Sequence, residues 1–202
     1  MLWLLLAIAL WGIVHSLLAS TGIKHLFRRA FGDGFMRFYR LFYNIYALVS
    51  FLPILYLMIT LPDRILYQAP APIDYLMRVG QGISIFLLFV SVFQTDLLSF
   101  AGLRQLMEEE KTGPLITNGL YRVVRHPLYT FSLTFLWLSP RMTLNSFVVY
   151  LSLTLYILVG IIFEERKLVR AFGGEYADYR SVTPMLIPGR KSGGNNSFRE
   201  PS

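Results

Sequence analysis

The stretch LNSFVVYLSLTLYILVGIIF, residues 144–163, contains no charged side chain over twenty residues. A helix of about 20 apolar residues is long enough to cross the roughly 30 Å hydrocarbon core of a bilayer. Four further apolar stretches occur along the chain, at residues 1–18, 41–61, 79–98 and 129–138, and the last of these is short. The pattern predicts an all-α, polytopic integral membrane protein of about five transmembrane helices, with the lipid bilayer as its main partner.

The composition supports a membrane environment. Of the 202 residues, 54% are hydrophobic and 15% are charged, against roughly 25% charged in an ordinary soluble domain. The chain has no cysteine, which excludes disulfides, thiolate nucleophiles and cysteine-ligated metal sites. We expect a single domain over residues 1–188, and we expect no metal. The polar tail at 189–202 is typical of disorder.

The net charge of +7 is distributed in loops that flank the apolar stretches. Alternate loops contain sixteen lysines and arginines against three in the others. Under the positive-inside rule, this asymmetry places the N-terminus outside and the C-terminus in the cytoplasm, as an odd number of spans requires. The same distribution argues against a nucleic-acid partner, whose binding face would be solvated. The first stretch lacks the basic start of a signal peptide, and we interpret it as an uncleaved span.

The third predicted span has a polar face. Gln81, Ser84, Ser91 and Gln94 follow one another at spacings of three, seven and three, which places them on one side of a helix. They could line a cavity or make hydrogen bonds to a neighbouring helix. We favour the hydrogen bonds.

Polar and ionisable groups cluster in a first segment, TNGLYRVVRHPLY at residues 117–129. Pro127 suits the first position of a helix. The unpaired N–H groups and positive dipole end of that helix would attract a carboxylate. His126, Tyr121 and Tyr129 add hydrogen-bonding groups and aromatic surface. The other interpretation of these side chains is anchoring at the membrane interface.

A second polar segment, EERKLVRAFGGEYADY at residues 164–179, continues the last span out of the bilayer. Gly173 is typical of a helix end, so Glu164 and Glu165 lie in one continuous helix. Because adjacent helical residues point to different sides, at least one carboxylate should be free for an amine, a ribose hydroxyl or another positively polarised group. A solvated charge run is the other interpretation.

The two segments together resemble the motifs of the isoprenylcysteine carboxyl methyltransferase and phospholipid methyltransferase superfamily. The first motif is matched by Gly119, Tyr121, Arg125, His126, Pro127 and Tyr129, and the second by Glu164, Glu165, Leu168, Phe172, Gly173, Tyr176 and Tyr179. The resemblance covers about residues 105–188, which follow the three N-terminal spans of residues 1–100. In the family, the two motifs lie on either side of a C-terminal helical hairpin.

The resemblance implies a methyltransferase whose cofactor, S-adenosyl-L-methionine, lies in a pocket open to the cytoplasm. The acceptor would be a small or lipophilic thiol, amine or carboxylate that enters from the lipid side. By the same resemblance, the catalytic residues would be His126, Tyr129 and Glu165. The cofactor-binding residues would be Gln105, Gly113, Pro114, Leu115, Ile116, Tyr121, His126, Pro127, Leu128, Tyr129 and Glu164.

One position departs from the family pattern. Members that act on prenylcysteine carboxylates have an arginine four residues before the first acidic residue, and this chain has Gly160 there. A bidentate clamp for a substrate carboxylate is therefore missing. This departure argues against a prenylated protein terminus as the substrate.

The N-terminal half, around residues 14–20 and 37–44, resembles NnrU-like bacterial proteins and membrane methanethiol S-methyltransferases. His15 and His25 could be haem ligands, but we interpret them as interfacial histidines. By this resemblance we expect the chain to lie in a prokaryotic inner membrane.

Two other functions stay open. Membrane sterol reductases, which use a nicotinamide cofactor, share the Arg-His-Pro-x-Tyr segment, but the Glu164-Glu165 motif argues against them. A non-catalytic assembly or transport factor of the same fold is the other alternative. The identity of the acceptor and the oligomeric state are not determined by the sequence.

Overall fold

The computed structural model describes residues 1–95 and 113–189. Its helices are α1 (Leu2–Ala19), α2 (Thr21–Thr60), α3 (Ala71–Gln94), α4 (Pro127–Trp137), α5 (Leu144–Phe172) and α6 (Gly174–Val182), with a 3₁₀ turn at Gly119–Arg122. Two short strands, β1 (Ile65–Gln68) and β2 (Arg141–Thr143), form an antiparallel pair. Gln105 and all of the predicted tail except Gly189 lie outside the described residues.

Four of the described helices, α1, α2, α3 and α5, are long and apolar enough to cross a membrane. The prediction of an all-α polytopic membrane protein is therefore confirmed. The fourth predicted span corresponds to α4, which has 11 residues and a length of about 16 Å. That length is about half of the hydrocarbon core.

Helix α2 begins about twenty residues earlier than the sequence analysis predicted. Its start is capped by the Ser20 side chain, which accepts a hydrogen bond from the N–H of Ile23 at 3.4 Å. The helix bends at Gly32, where φ is 77° and ψ is 177°. The ring of Phe27 stacks on that of Phe35 across this bend, with 6.0 Å between the centroids. The glycine is needed because residues with a side chain rarely adopt such a positive φ.

Helices α3 and α4 pack along their length. The side-chain amide of Gln81 donates to the carbonyl of Phe135 at 3.1 Å, and the side-chain oxygen of Gln94 accepts from the N–H of Leu120 at 3.1 Å. Ser84 and Ser91 are buried and bond to carbonyls of their own helix. The interpretation of the polar face as a source of hydrogen bonds to neighbouring segments is confirmed at its two glutamines.

The strand pair, which the sequence analysis did not predict, joins the α2–α3 loop to the α4–α5 turn. Beside it, Asp63 accepts a hydrogen bond from the backbone N–H of Asn145 at 3.0 Å. Both loops therefore lie at one end of the helices. The predicted C-terminal hairpin of α4 and α5 extends from this end, and the indole N–H of Trp137 donates to Thr154 across it at 3.0 Å.

Candidate functional site

A buried ion pair joins the segment before α4 to helix α5. Arg125 donates from Nε to Oε1 of Glu165 at 2.8 Å and from Nη2 to Oε2 at 3.1 Å. Arg125 is 6% exposed and Glu165 is 8% exposed. Two parallel charge-assisted hydrogen bonds fix both the distance and the orientation of the two side chains.

Further groups complete the coordination of the Glu165 carboxylate. The hydroxyl of Tyr176 donates to Oε1 at 2.7 Å, and Nε2 of His126 lies 3.0 Å from the same oxygen. Nε of Arg180 lies 3.5 Å from Oε2. This carboxylate is therefore occupied by protein groups from two other parts of the chain, the segment before α4 and helix α6.

The start of α4 is held by the segment that follows α6. The N–H groups of Arg125 and His126 donate to the carbonyls of Pro184 and Met185 at 2.9 and 3.2 Å. Pro127 occupies the first turn, and the N-cap residue His126 provides no side-chain cap. The next amides in the first turn have no helical partner of their own. As the sequence analysis predicted, α4 begins at Pro127, with the positive end of its dipole at the ion-pair cluster.

Glu164 lies beside this cluster and differs from Glu165 in its environment. Its side chain is 42% exposed, yet its Oε2 atom is buried and makes no hydrogen bond to any group within residues 1–95 and 113–189. That atom lies 3.7 Å from Nδ1 of His126. A buried carboxylate oxygen without a donor is costly. Glu164 is thus the member of the acidic pair with capacity for a ligand.

Two tyrosines lie near Glu164. Burial, and next to it the charge of Glu164, raises the pKa of Tyr121 to about 12. The hydroxyl of Tyr129 donates a hydrogen bond to the Glu164 carboxylate, and the Tyr129 ring centroid lies 5.7 Å from that of His126. Tyr121 carries a neutral hydroxyl at physiological pH, as a tyrosine with the ordinary pKa near 10 also does. The site therefore combines one carboxylate with uncharged aromatic surface.

The 3₁₀ turn sets the position of Tyr121. Gly119 begins that turn with a φ of 56°. The carbonyl of Tyr121 accepts a hydrogen bond from the hydroxyl of Tyr179 in α6 at 2.5 Å. Residues of the second motif therefore fix the position of the first motif at two points, Tyr121 and Arg125.

The model of the family described as NnrU protein matches residues 3–188. The chain belongs to the NnrU family. Membership covers both the three N-terminal helices and the site at the start of α4. No solved structure matches the chain.

Curated relatives of this NnrU-family protein include methyltransferases. It is 40% identical to methanethiol S-methyltransferase 1 of Bradyrhizobium diazoefficiens, over 52% of this chain and 39% of that protein. It is 41% identical to the methanethiol S-methyltransferase of Crocosphaera subtropica, over 52% of this chain and 44% of that protein. The protein-S-isoprenylcysteine O-methyltransferase of Schizosaccharomyces pombe is 33% identical, over 48% of this chain and 50% of that protein. The chain thus spans half or less of the length of these relatives, and its resemblance to their superfamily is confirmed.

In the NnrU-family chain, the structure brings together five of the predicted site residues: Tyr121, His126, Tyr129, Glu164 and Glu165. Pro127 and Leu128 lie in the first turn of α4 beside them. The predicted contacts Gly113, Pro114, Leu115 and Ile116 lie in the irregular segment before the 3₁₀ turn, outside the hydrogen-bonded cluster. The further predicted contact Gln105 is not among the described residues.

The sequence analysis gave no role to Arg125 or Tyr176, although both are fixed positions of the two motifs. Both side chains are hydrogen-bond donors, and a motif acid needs such donors when it is buried. That need was the signal that could have identified them. Within residues 1–95 and 113–189, no group of three or more His, Asp or Glu side chains is arranged to hold a metal ion.

Proposed function

We propose that this NnrU-family protein is an integral membrane methyltransferase that uses S-adenosylmethionine to methylate a small or lipophilic acceptor. The observation that carries the proposal is the buried Oε2 atom of Glu164, which has no hydrogen-bond partner in the part of the chain that the structure describes. An orphaned carboxylate oxygen beside an uncapped helix start suits a ligand that carries both an amine or hydroxyl donor and a carboxylate. S-adenosylmethionine has all of these groups.

The residues present fit that cofactor. Glu164 would accept from its amine or its ribose hydroxyls, and the first-turn amides of α4, at Leu128 and Tyr129, would face its carboxylate. Tyr121 and Tyr129 would supply aromatic surface to its apolar parts. Gly113, Pro114, Leu115, Ile116 and Gln105 belong to the same proposed contact set. When bound, the cofactor supplies an electrophilic methyl group on a sulfonium centre.

The chain mainly has to align the acceptor and exclude water, since alignment alone lowers the barrier substantially. His126 has one ring nitrogen at Glu165 and the other toward Glu164, so it would orient Glu164 rather than contact the acceptor. Glu165 is bound by Arg125 and Tyr176. We therefore assign Glu165 a positioning role instead of the catalytic role first expected of it.

The acceptor is proposed to be small. The relatives are named for methanethiol and for isoprenylcysteine. Gly160 leaves this chain without the arginine that would bind a prenylcysteine carboxylate, so a small thiol is favoured over a carboxylate. Amines remain among the candidate methyl acceptors to be tested.

The membrane orientation belongs to the proposal. The loop charges support a cytoplasmic position for the end with Glu164, where S-adenosylmethionine is made, and a position for the strand pair at the opposite face of the inner membrane. The N-terminus would then lie outside and the C-terminus inside. The start of α4 would open to cytoplasmic water on one side and to lipid on the other.

Transfer of a labelled methyl group tests the proposal. The purified protein in liposomes is incubated with S-adenosylmethionine carrying a ¹³C-methyl group, together with a short thiol, amine or carboxylate. We expect labelled product from the thiol, strong loss of product in Glu164→Gln, and no loss in Glu175→Gln, an exposed acid on α6. Absence of labelled product from all three acceptors would contradict the proposal. Oxidation of NADPH with a sterol would favour the reductase alternative instead.

A further inference from the structure

Helix α2 consists of two segments that meet at Gly32, residues 21–31 and residues 33–60. The ring of Phe27 in the first segment lies 5.6 Å from that of Tyr39 in the second. The same separation in sequence spans about 18 Å in a straight helix, so the first segment folds back against the second. The hydroxyl of Tyr39 also donates to the carbonyl of Leu18 in α1 at 2.7 Å. The first segment is therefore packed at the junction of α1 and α2.

This junction lies at the same end of the helices as Glu164. The far end of α2 contacts the start of α5, where the side chain of Asn145 donates to the carbonyl of Leu61 at 3.3 Å. The last turn of α1 contacts the second half of α5, where the hydroxyls of Ser16 and Tyr156 are 3.0 Å apart. The proposed membrane orientation therefore puts the first segment of α2 on the cytoplasmic side, together with Glu164.

The first segment is amphipathic. Its apolar side chains include Phe27, which packs against the second segment, and Leu26 and Phe31, which are 59% and 62% exposed. Its basic side chains form two pairs that are each separated by one helical turn: Lys24 with Arg28, and His25 with Arg29. A helix with a basic face and exposed aliphatic and aromatic side chains is typical of one that lies in the headgroup layer of a membrane.

The charge of this region matches an anionic surface. Residues 20–40 contain five lysines and arginines, and Asp33 is the single acidic residue among them in the sequence. Asp33 pairs with Arg28, with 3.2 Å between Oδ1 and Nε. The segment thus carries an excess of positive charge. The cytoplasmic leaflet is negatively charged, and clusters of four to eight basic residues next to a membrane span attract its anionic lipids.

A surface pocket lies on the first segment, lined by Gly22, His25, Leu26 and Arg29. His25 and Arg29 are one helical turn apart, about 5–6 Å between Cβ atoms, so both side chains can donate to the same phosphate group. The planar guanidinium of an arginine suits phosphate oxygens. At Gly22, an added methyl group would meet no atom of the described residues within 4 Å. The pocket is therefore open where a headgroup would enter.

We propose that the pocket at His25 and Arg29 binds the phosphate of an anionic phospholipid from the cytoplasmic leaflet. The first segment of α2 lies in the headgroup layer, with Leu26 and Phe31 against the acyl chains. This inference rests on the proposed membrane orientation and not on methyl transfer.

The apolar side chains beside the pocket favour a phospholipid over a soluble phosphate. Leu26 lines the pocket itself and is exposed. A free phosphate would leave Leu26 and Phe31 in water, whereas the acyl chains of a lipid would cover them. Burial of this apolar surface adds to the attraction between the charges.

Lipid binding to a charge variant tests the site. The purified protein in a neutral detergent is titrated with radiolabelled phosphatidylglycerol, and the label that stays with the captured protein is counted. We expect about fivefold weaker binding in Arg29→Gln, which corresponds to the loss of about 1 kcal/mol per basic residue near an anionic surface. The matched control is Arg170→Gln, which removes an exposed charge from the last turn of α5 at the same end. Equal phosphatidylglycerol affinity in Arg29→Gln and Arg170→Gln would overturn the site.

A variant that fills the pocket tests its shape without a change in charge. Gly22→Leu should weaken phosphatidylglycerol binding, because its side chain occupies the space beside His25 and Arg29. The control is Gly34→Leu in the second segment, at another exposed glycine with no atom within 4 Å among the described residues. Leucine favours helix over glycine, so both variants should fold. Equal binding in these two variants would overturn the pocket as the binding position.

Competition identifies the class of ligand. Millimolar inorganic phosphate should leave phosphatidylglycerol bound, and neutral phosphatidylcholine should bind more weakly than phosphatidylglycerol. Displacement of the lipid by inorganic phosphate would show a site for soluble anions and would overturn the lipid as ligand. Equal binding of the two lipids would overturn the preference for an anionic headgroup. S-adenosylmethionine is absent from these titrations, so their failure and the failure of the proposed function are distinguishable.

Discussion

Arg125 and Glu165 lie forty positions apart in the sequence and form a two-point ion pair, with Nε–Oε1 and Nη2–Oε2 distances of 2.8 and 3.1 Å. Each partner has a residue of the candidate site as its direct neighbour in the sequence. His126 follows Arg125, and Glu164 precedes Glu165. The pair therefore determines the 3.7 Å separation of His126 Nδ1 and Glu164 Oε2. The cofactor pocket proposed above depends on this contact.

Removal of the arginine should destabilise the protein strongly. Arg125→Met keeps most of the side-chain volume but removes the two-point counter-charge of the buried Glu165 carboxylate, which retains only the more distant Arg180, 3.5 Å from Oε2. Such a change costs about 3–5 kcal/mol in other proteins. We expect a loss of that size in the free energy of unfolding, measured by denaturant titration in detergent. S-adenosylmethionine binding should weaken as well, because Glu164 is no longer positioned.

The matched control for that variant is Arg78→Met. Arg78 pairs with Asp74 at 3.0 Å, one helical turn away, and its side chain is 63% exposed. Exposed pairs of this kind contribute little to stability. A loss from Arg125→Met no larger than that from Arg78→Met would show that the buried pair does not hold the site together.

Gly119→Ala should impair the site through the backbone. An alanine at a φ of 56° is strained, and its Cβ would collide with the side-chain amide of Gln94, which bonds to the N–H of Leu120. We expect a loss of about 1–2 kcal/mol in stability from the strain. Displacement of Tyr121 should also weaken S-adenosylmethionine binding. Gly34→Ala, at a glycine of α2 with no such neighbour among the described residues, should raise the unfolding free energy by up to about 1 kcal/mol through helix propensity and leave the binding isotherm unchanged.

Alkaline pH should destabilise the protein through two tyrosines. Burial raises the pKa of both Tyr121 and Tyr179 to about 12, above the value near 10 expected in the unfolded chain. The folded state therefore holds these protons more tightly, and the resulting stabilisation is complete below pH 10 and is lost as the pH rises toward 12. The thermal unfolding midpoint in detergent should fall over this window. The fall should be smaller in Tyr121→Phe, and an equal fall in that variant would contradict the assignment.

Hydropathy was sufficient to predict the long helices, because a bilayer requires long apolar segments with internally paired backbone. Gly173 ends α5 as its residue type indicated, with a φ of 53°. The early start of α2 and the strand pair were missed. Residues 21–40 are too polar for a span, and the strands Ile65–Gln68 and Arg141–Thr143 are too short to show an alternating pattern.

The candidate site was predictable in its members but not in its connections. The motifs indicated His126, Tyr129 and the two acids, because such residues at a membrane edge are costly unless they have a function. The sequence did not determine which of the two acids, Glu164 or Glu165, would be available to a ligand. The answer depends on the position of Arg125, and a contact across forty residues follows from the packing of α4 against α5 and not from any local pattern.

Cofactor binding tests the central claim most directly. S-adenosylmethionine is titrated into the detergent-purified protein in a calorimeter, with S-adenosylhomocysteine as competitor and with Glu164→Gln and Glu175→Gln compared. The account predicts saturable binding that the competitor displaces, at least tenfold weaker affinity in Glu164→Gln, and unchanged affinity in Glu175→Gln. Folded protein that binds neither ligand would contradict the account. Binding that is equally tight in both variants would contradict the site assigned to Glu164.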